Sequence, residues 1–339
     1  MMSKHRSLTK DTLSARSIMD MVFAFQRSRV LLTAYELGLF TVLGDESKSS
    51  IEVAKALGTG DRATDRLMNA LCAIGLLEKK RGRFSSSPLA SRFLVKDSPD
   101  FMAGLMHSVH LWDTWSTLTQ AVRHGKSVVA RHANERGEEW LTEFITAMHQ
   151  RACQQAPGVV ALLDLSGTSR VLDIGGGSGA YSMAFAQAKE EIRAMVFDLP
   201  NVIALTRDYI EKEGLSNKVE TVVGDYNIDE LGSGFDLVFL SAIIHSNSSE
   251  GNRELIRKGS EALNPQGQMV IQDFVMDEGR TTPALGALFA LNMLVATESG
   301  DTYTESEIRM WMEEAGLPDI VRKDTSFGTS LIIGRRTQN

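Results

Sequence analysis

Three aspartates and one histidine are the side chains in this sequence best placed to do chemistry. Asp173, Asp198 and Asp225 each stand at the end of a short apolar run, and His245 closely follows a fourth, in Phe235-Asp-Leu-Val-Phe-Leu-Ser241-Ala-Ile-Ile-His245. Carboxylates accept hydrogen bonds from hydroxyl and amine groups. An imidazole, with an ordinary pKa of about 6.5, has a neutral fraction at pH 7 that can take a proton from a hydroxyl. Directly after Asp173 comes Ile174-Gly-Gly-Gly-Ser-Gly179, a turn almost without side-chain bulk, and then the apolar stretch Tyr181-Ser-Met-Ala-Phe-Ala-Gln. A glycine turn between a strand and a helix lets a ligand approach bare backbone N–H groups at a helix N-terminus.

The elements that position these groups read as alternating strands and helices. Strands are predicted at 170–173, 193–197, 219–223, 235–240 and 267–273, with a last one at 329–334. Helices are predicted at 249–263, ending at Asn264-Pro265, at 283–296, and at 303–315 with Thr304 as its cap. Three parallel strands each finishing in an acid would line one edge of a sheet, the edge where open α/β sheets bind ligands. Gly175-x-Gly177-x-x-Ala180 taken alone also fits a dinucleotide fingerprint. A nicotinamide site must accommodate a pyrophosphate, however, and seldom needs an acid before the glycines. The acid-lined edge suits a ligand with hydroxyls, an amine and no phosphate.

The first 98 residues have a different texture. Residues 1–15 are polar and expected to fray. From Ser17 to Leu43 the chain is apolar on more faces than a single core-facing stripe requires, which fits a helix pair shared with a second copy. Two short helices follow, at 50–57 and 62–74, and then a hairpin over 75–84 with Gly82 at its turn. Helix, turn, helix, hairpin is a winged-helix order. It raises a rival reading, a ligand-sensing DNA-binding regulator. Lys79, Lys80, Arg81 and Arg83 on the wing favour the rival, whereas Asp61, Arg62, Asp65 and Arg66 balance one another on the second helix. Residues 99–168 read as connecting helices, with 157–168 as the hinge side of a domain boundary. Trp112 lies there in an aromatic and histidine-rich stretch. Phe144 and Met148, four apart, share one helix face, and a polarisable methionine suits an aromatic ligand.

Composition sets outer bounds. At 339 residues the chain is long enough for two domains, and 43% hydrophobic with 23% charged residues is ordinary for a soluble protein. A net charge of −7 gives no global attraction to nucleic acid or anionic membrane. Cys72 and Cys153 lie far apart, each inside a helical pattern, and read as buried thiols in a reducing compartment. No signal core and no membrane-length apolar run is visible, so the cytoplasm is the expected compartment. No Cys/His spacing suggests zinc and no acidic trio suggests magnesium, so metal-independence is expected.

Leu172-Asp-Ile-Gly-Gly-Gly-Ser-Gly179, Phe197-Asp-Leu-Pro200 and Gly224-Asp225 together resemble the S-adenosylmethionine (SAM) site of the class I methyltransferases. More narrowly they resemble the small-molecule O-methyltransferases of the caffeic-acid, hydroxyneurosporene and acetylserotonin type, over nearly the whole chain. The resemblance implies an α/β Rossmann-like SAM-binding domain (169–339), connecting helices (99–168) that border an acceptor pocket, and an N-terminal winged-helix domain (1–98), helical apart from its hairpin, that makes a homodimer. It implies SAM as cofactor, S-adenosylhomocysteine as product, no metal, and a small-molecule hydroxyl acceptor, with no nucleic-acid or membrane partner. Cofactor contacts would be Asp173 near the ammonium group, the Gly175 and Gly177 backbone, Asp198 on the ribose hydroxyls, and Asp225 on the adenine amine. Tyr226 would lie against the ring, with Leu199 and Ser241 completing the set. His245 matches the base of the family's His-Asp-Trp motif, and Asp273 stands where its first orienting glutamate would be. Trp112, Phe144, Met148, Asn292 and Met293 would border the acceptor.

Ser246 and Asn247 replace the Asp and Trp of that motif, Ser241 replaces the family's lysine, and the second glutamate falls near Thr302. These departures point away from plant phenylpropanoid acceptors. Leu291–Val295 and Gly300–Thr304 look closer to bacterial and acetylserotonin-type members. The missing lysine and second glutamate also keep open non-methylating SAM chemistry, decarboxylation or hydroxylation, on the same fold.

Overall fold

A computed structural model describes residues 14–129 and 137–337. The polar start expected to fray lies, over residues 1–13, outside the described residues. The chain divides into two compact units, Met1–Val109 and His110–Asn339.

In the first unit, α1 (Ala15–Glu36) begins in a capping box, Ser14 and Ser17 each satisfying the other's backbone N–H. Gly38, at φ 70°, turns the chain into α2 (Leu39–Leu43). Then come α3 (Ser50–Leu57), α4 (Asp61–Ala73), the antiparallel pair β1 (Leu77–Lys80) and β2 (Arg83–Ser86), and α5 (Pro88–Leu94). Arg81 and Gly82, both with positive φ, make the hairpin turn. Leu39, Phe40, Leu43, Met68, Leu71 and Phe84 are the centre of this unit's core. The first half of α1 takes no part in it: Ile18, Met19, Met21, Val22, Phe23 and Phe25 are exposed, Ile18 by 60%. On the wing, Lys79 bonds Asn69 and lies over the Phe84 ring, Lys80 pairs with Glu78, and Arg83 bonds the Ser47 carbonyl and Glu52. Three of the four wing cations are thus occupied within the chain, which removes the main feature of the DNA reading.

In the second unit, α6 (Leu105–Trp115, beginning in the first), α7 (Leu118–His124) and α8 (Glu138–Val160) lead into the sheet. Pro157 falls inside the last turn of α8, so the helix runs through the segment expected to be a hinge, and Cys153 on the same helix is exposed and Cys72 half-buried, neither the buried thiol expected. The sheet proper is β3 (Arg170–Ile174), α9 (Ala180–Ala188), β4 (Arg193–Asp198), α10 (Pro200–Lys212), β5 (Val219–Val223), β6 (Phe235–Ser241), α11 (Ser249–Ala262) and β7 (Leu263–Asp273). After it come β8 (Val275–Met276), α12 (Ala284–Ala296), β9 (Tyr303–Thr304), α13 (Glu305–Glu314), β10 (Asp319–Asp324) and β11 (Ser330–Arg335). Strand order is β10-β11-β7-β6-β3-β4-β5, parallel from β7 to β5 and antiparallel at β10 and β11.

The sheet is a Rossmann-like α/β core, and two expectations need correcting. The Asn264-Pro265 stop belongs to β7, which starts at Leu263, and β10 is a strand the sequence pattern did not announce. Order reverses between β3 and β6, so their carboxyl ends flank the crevice where such sheets hold ligands.

Candidate active site

The turn after β3 is built from glycines for two different reasons. Gly175, at φ 64°, leaves no room for a side chain: a Cβ there would lie 2.4 Å from Ile243 Cδ1. Gly177, at φ 56°, faces open space, with Ile145 Cδ1 at 4.0 Å its nearest neighbour. That opening is a cradle of bare backbone which any side chain would fill. Two other acids close it below and beside. Asp173 is buried under the loop, accepts from Ser182 Oγ at 2.8 Å, and a Cβ on Gly176 would meet its carboxyl at 2.7 Å. Asp198 accepts from the Gly177 N–H at 2.8 Å and the Leu199 N–H at 2.7 Å.

Burial pushes the Asp173 carboxyl up to about 7, opposed by the Ser182 bond, with the Asp198 charge adding to the rise. Burial likewise pushes Asp198 up to about 6 against two backbone N–H bonds. Such a site suits a cationic ligand bearing hydroxyls, which would draw both acids back to the charged form. The same shifts make a stability prediction. The folded state holds these protons to higher pH than the unfolded chain does, so their contribution is full below about pH 4 and is lost as pH rises through 6 to 7. Asp198→Asn should therefore flatten the fall in melting temperature between pH 4 and 7 for the ligand-free protein. Parallel melting curves for mutant and wild type would contradict this.

Asp225 turns inward on its own loop. Its Oδ1 accepts from the Asn227 backbone and side chain, while Oδ2 has no bond among the described residues. Tyr226 donates to Asn247 Oδ1 at 3.1 Å, with its ring edge 3.9 Å from where a Gly175 Cβ would lie. Ser241, ending β6, bonds Gln272 Oε1 at 3.1 Å, and Ala242 at φ 57° then turns the chain toward His245.

His245 sits on a single 3-10 turn, Ile244–Ser246. Its Nδ1 lies 2.9 Å from both carboxylate oxygens of Asp273, the last residue of β7. The pair is well enclosed, the side chains 12% and 3% exposed. Asp273 Oδ1 also takes the Phe274 N–H, which fixes the carboxylate in turn. The edge of the Phe289 ring faces the imidazole at 4.7 Å.

Several further groups hold this turn, a role that nothing in the sequence assigned to them. Fully buried Asn252 donates to the Ile244 carbonyl, Asn247 donates to Asn252, and Tyr303 donates to the Asn247 carbonyl. Gly300 packs against the His245 carbonyl so closely that a Cβ would lie 2.4 Å from it.

The residues expected to border an acceptor are dispersed. Asn292, one turn along α12 from Phe289, accepts from Trp115 Nε1 at 2.9 Å. Trp112 is half-buried one turn before Trp115 on α6, and Met293 is buried. Phe144 stacks on Trp140 at 5.1 Å and packs in a cluster with Ile145, Val202 and Leu199, the residue after Asp198. Met148, half-buried, follows one turn later on the same face. Among the described residues no three His, Cys, Asp or Glu side chains form a group that could hold a metal, and no helix is long and apolar enough to cross a membrane.

Comparison with known proteins gives this geometry its context. Residues 19–96 match an O-methyltransferase dimerisation domain and residues 115–318 an O-methyltransferase domain. The chain is 31% identical over 308 residues to 3-hydroxy-5-methyl-1-naphthoate 3-O-methyltransferase of Streptomyces sahachiroi, covering 89% of each chain. It is 29% identical over 326 residues to the tetracenomycin polyketide synthesis 8-O-methyl transferase TcmO of Streptomyces glaucescens, covering 94% of this chain and 96% of that one. Among solved structures, PigF with SAH superposes at a TM-score of 0.88 with 25% identity, over 96% of this chain and all of that one. A glycine cradle and an acid-lined crevice on this fold, with both domain matches spanning most of the sequence, have one consequence: the chain belongs to the SAM-dependent O-methyltransferase family that carries an N-terminal dimerisation domain.

Proposed function

We propose that this enzyme methylates a hydroxyl of a small aromatic or polyketide-like metabolite, with His245 as general base. The observation that supports this most is the His245–Asp273 pair, held at the sheet's switch point beside the glycine cradle. When bound, SAM supplies an electrophilic methyl group on a sulfonium and leaves as S-adenosylhomocysteine. The chain's residues do the rest. His245 donates its Nδ1–H to Asp273, so Nε2 carries the lone pair and takes the acceptor's hydroxyl proton. In-line proximity supplies most of the remaining acceleration.

Asp198 is assigned to the ribose hydroxyls, using the lone pairs its backbone bonds leave free, and Asp225 Oδ2 to the adenine amine. Tyr226 and Leu199 flank the ring, Ser241 closes the crevice, and Asp173 acts on the ammonium group through its field from beneath Gly175 and Gly177. Trp112, Asn292 and Met293 border the acceptor in this reading, with Phe144 and Met148 nearer the cofactor. The two polyketide-type and naphthoate relatives support an aromatic acceptor by the names they carry. The enclosed base on an orienting acid favours methyl transfer over non-methylating chemistry.

The cofactor half is tested by Asp198→Ala. Removing a charged acceptor from two hydroxyls costs about 1.5–3 kcal/mol, so calorimetry should show SAM binding weakened by about 10- to 100-fold without added metal. Unchanged affinity would remove Asp198 from the site, and tighter binding of NADH than of SAM would overturn the cofactor assignment.

A homodimer accounts for the exposed face of α1, since Ile18, Met21, Val22 and Phe25 form an apolar patch of the kind that marks an interface. Sedimentation should show a dimer at micromolar concentration, dissociated or precipitated by Val22→Glu with Phe25→Glu. A stable wild-type monomer would contradict it.

A further inference from the structure

We infer that the guanidinium of Arg151 is a carboxylate-binding subsite for the methyl acceptor, so that the preferred acceptors are hydroxyaryl carboxylates. The inference rests on the O-methyltransferase reading of the same crevice and specifies its substrate class.

Arg151 continues a helix face already described: Phe144, Met148 and Arg151 follow one another along α8 at spacings of four and three. Its guanidinium carbon lies 5.9 Å from the centroid of the Phe274 ring. Phe274 packs on Phe289 at 4.9 Å, and Phe289 faces His245 at 4.7 Å. One line of aromatic rings therefore joins the guanidinium to the base. Phe274 directly follows β7, so the cation lies beside the carboxyl end of that strand.

This cation is unclaimed. Arg253, Arg257, Arg280, Arg309 and Arg322 in the same unit each pair with a carboxylate. Among the described residues no oxygen bonds the Arg151 guanidinium, and the side chain is exposed. Asp273 and Asp173, the acids at the ends of β7 and β3, are engaged elsewhere: Asp273 on His245 and the Phe274 N–H, Asp173 on Ser182 beneath the loop.

A guanidinium resting over an aromatic face keeps its planar fork of donors, which matches a carboxylate with two parallel bonds. The rings between it and His245 offer faces to an aromatic body. An acceptor with a carboxylate at one end and a hydroxyl at the other would thus be aligned with its hydroxyl toward Nε2.

The test uses the full-length enzyme saturated with S-adenosylhomocysteine, titrated calorimetrically with 6-hydroxy-2-naphthoate and with its neutral carboxamide. Wild type should bind the carboxylate at least 10-fold more tightly than the amide. Arg151→Gln should abolish that preference while leaving amide and S-adenosylhomocysteine affinities unchanged, and Arg151→Lys should restore part of it. Equal binding of the two probes to wild type, or binding of neither, overturns the inference. So does a loss of S-adenosylhomocysteine affinity in Arg151→Gln, because it moves the guanidinium to the cofactor. The wider methyltransferase reading fails by a different result, a wild-type enzyme that binds no S-adenosylhomocysteine.

Discussion

His245→Ala should lower turnover by roughly 10²–10⁴-fold, the usual contribution of a positioned acid or base, and should leave SAM affinity nearly intact. The division of labour follows from the geometry. In the proposed site glycines and acids hold the cofactor, whereas the imidazole touches Asp273 and Phe289 and offers only Nε2 to a ligand. Asp273→Asn should fall between wild type and His245→Ala, because an imidazole without its anchoring carboxylate is misoriented but still basic. Steady-state kinetics on a confirmed acceptor, together with SAM calorimetry, checks all three. Wild-type turnover in His245→Ala would return His245 to a structural role.

Gly300→Ala should cost about 10²-fold in turnover although Gly300 touches no ligand in this account. Its φ is ordinary, so the penalty is steric. The new Cβ would lie 2.4 Å from the His245 carbonyl oxygen and 2.6 Å from Thr297 Oγ1. Thr297 is held in place, donating to the Met293 carbonyl and accepting the Gly300 N–H, so the strain falls on the turn that carries His245. A shift of about 1 Å at a catalytic group can cost about 10²-fold. Gly60→Ala, where nothing lies within 4 Å and φ is also ordinary, is the matched control and should leave the rate unchanged. Circular dichroism would establish that both variants fold. Full activity in a folded Gly300→Ala enzyme would show that the turn yields without moving the imidazole.

The sequence exposed those parts of the molecule whose side chains announce their surroundings. Buried parallel strands are continuous apolar runs, and the runs before Asp173, Asp198 and Asp225 became β3, β4 and β5 at almost the expected limits. Thr304 capped its helix as its hydroxyl and Glu307 suggest. β10 escaped notice because Asp319, Arg322, Lys323 and Asp324 give an exposed edge strand no apolar alternation. The juxtaposition of His245 and Asp273 came from the family resemblance, since no local pattern says that the ends of β6 and β7 lie side by side. Phe144 illustrates the limit of helical periodicity. Its face was legible, but whether that face looks toward Leu199 or toward the base depends on how α8 meets α10. Gly300 stood out only within a stretch of family likeness, and Asn252 and Arg151 had no signal at all: a helix asparagine and a helix arginine acquire meaning only from what the fold sets against them.

The central claim is that His245 removes the acceptor's proton while the cofactor waits in a site of its own. It is tested most directly by single-turnover methyl transfer from labelled SAM to a series of hydroxyl acceptors of graded acidity, measured for wild type and His245→Ala at one pH. Wild-type rates should vary little along the series, because the base levels differences in acidity. The mutant's rates should climb steeply with acceptor acidity and approach wild type only for phenols that ionise unaided. Two parallel series, or a mutant equal to wild type on an aliphatic alcohol, would contradict the account.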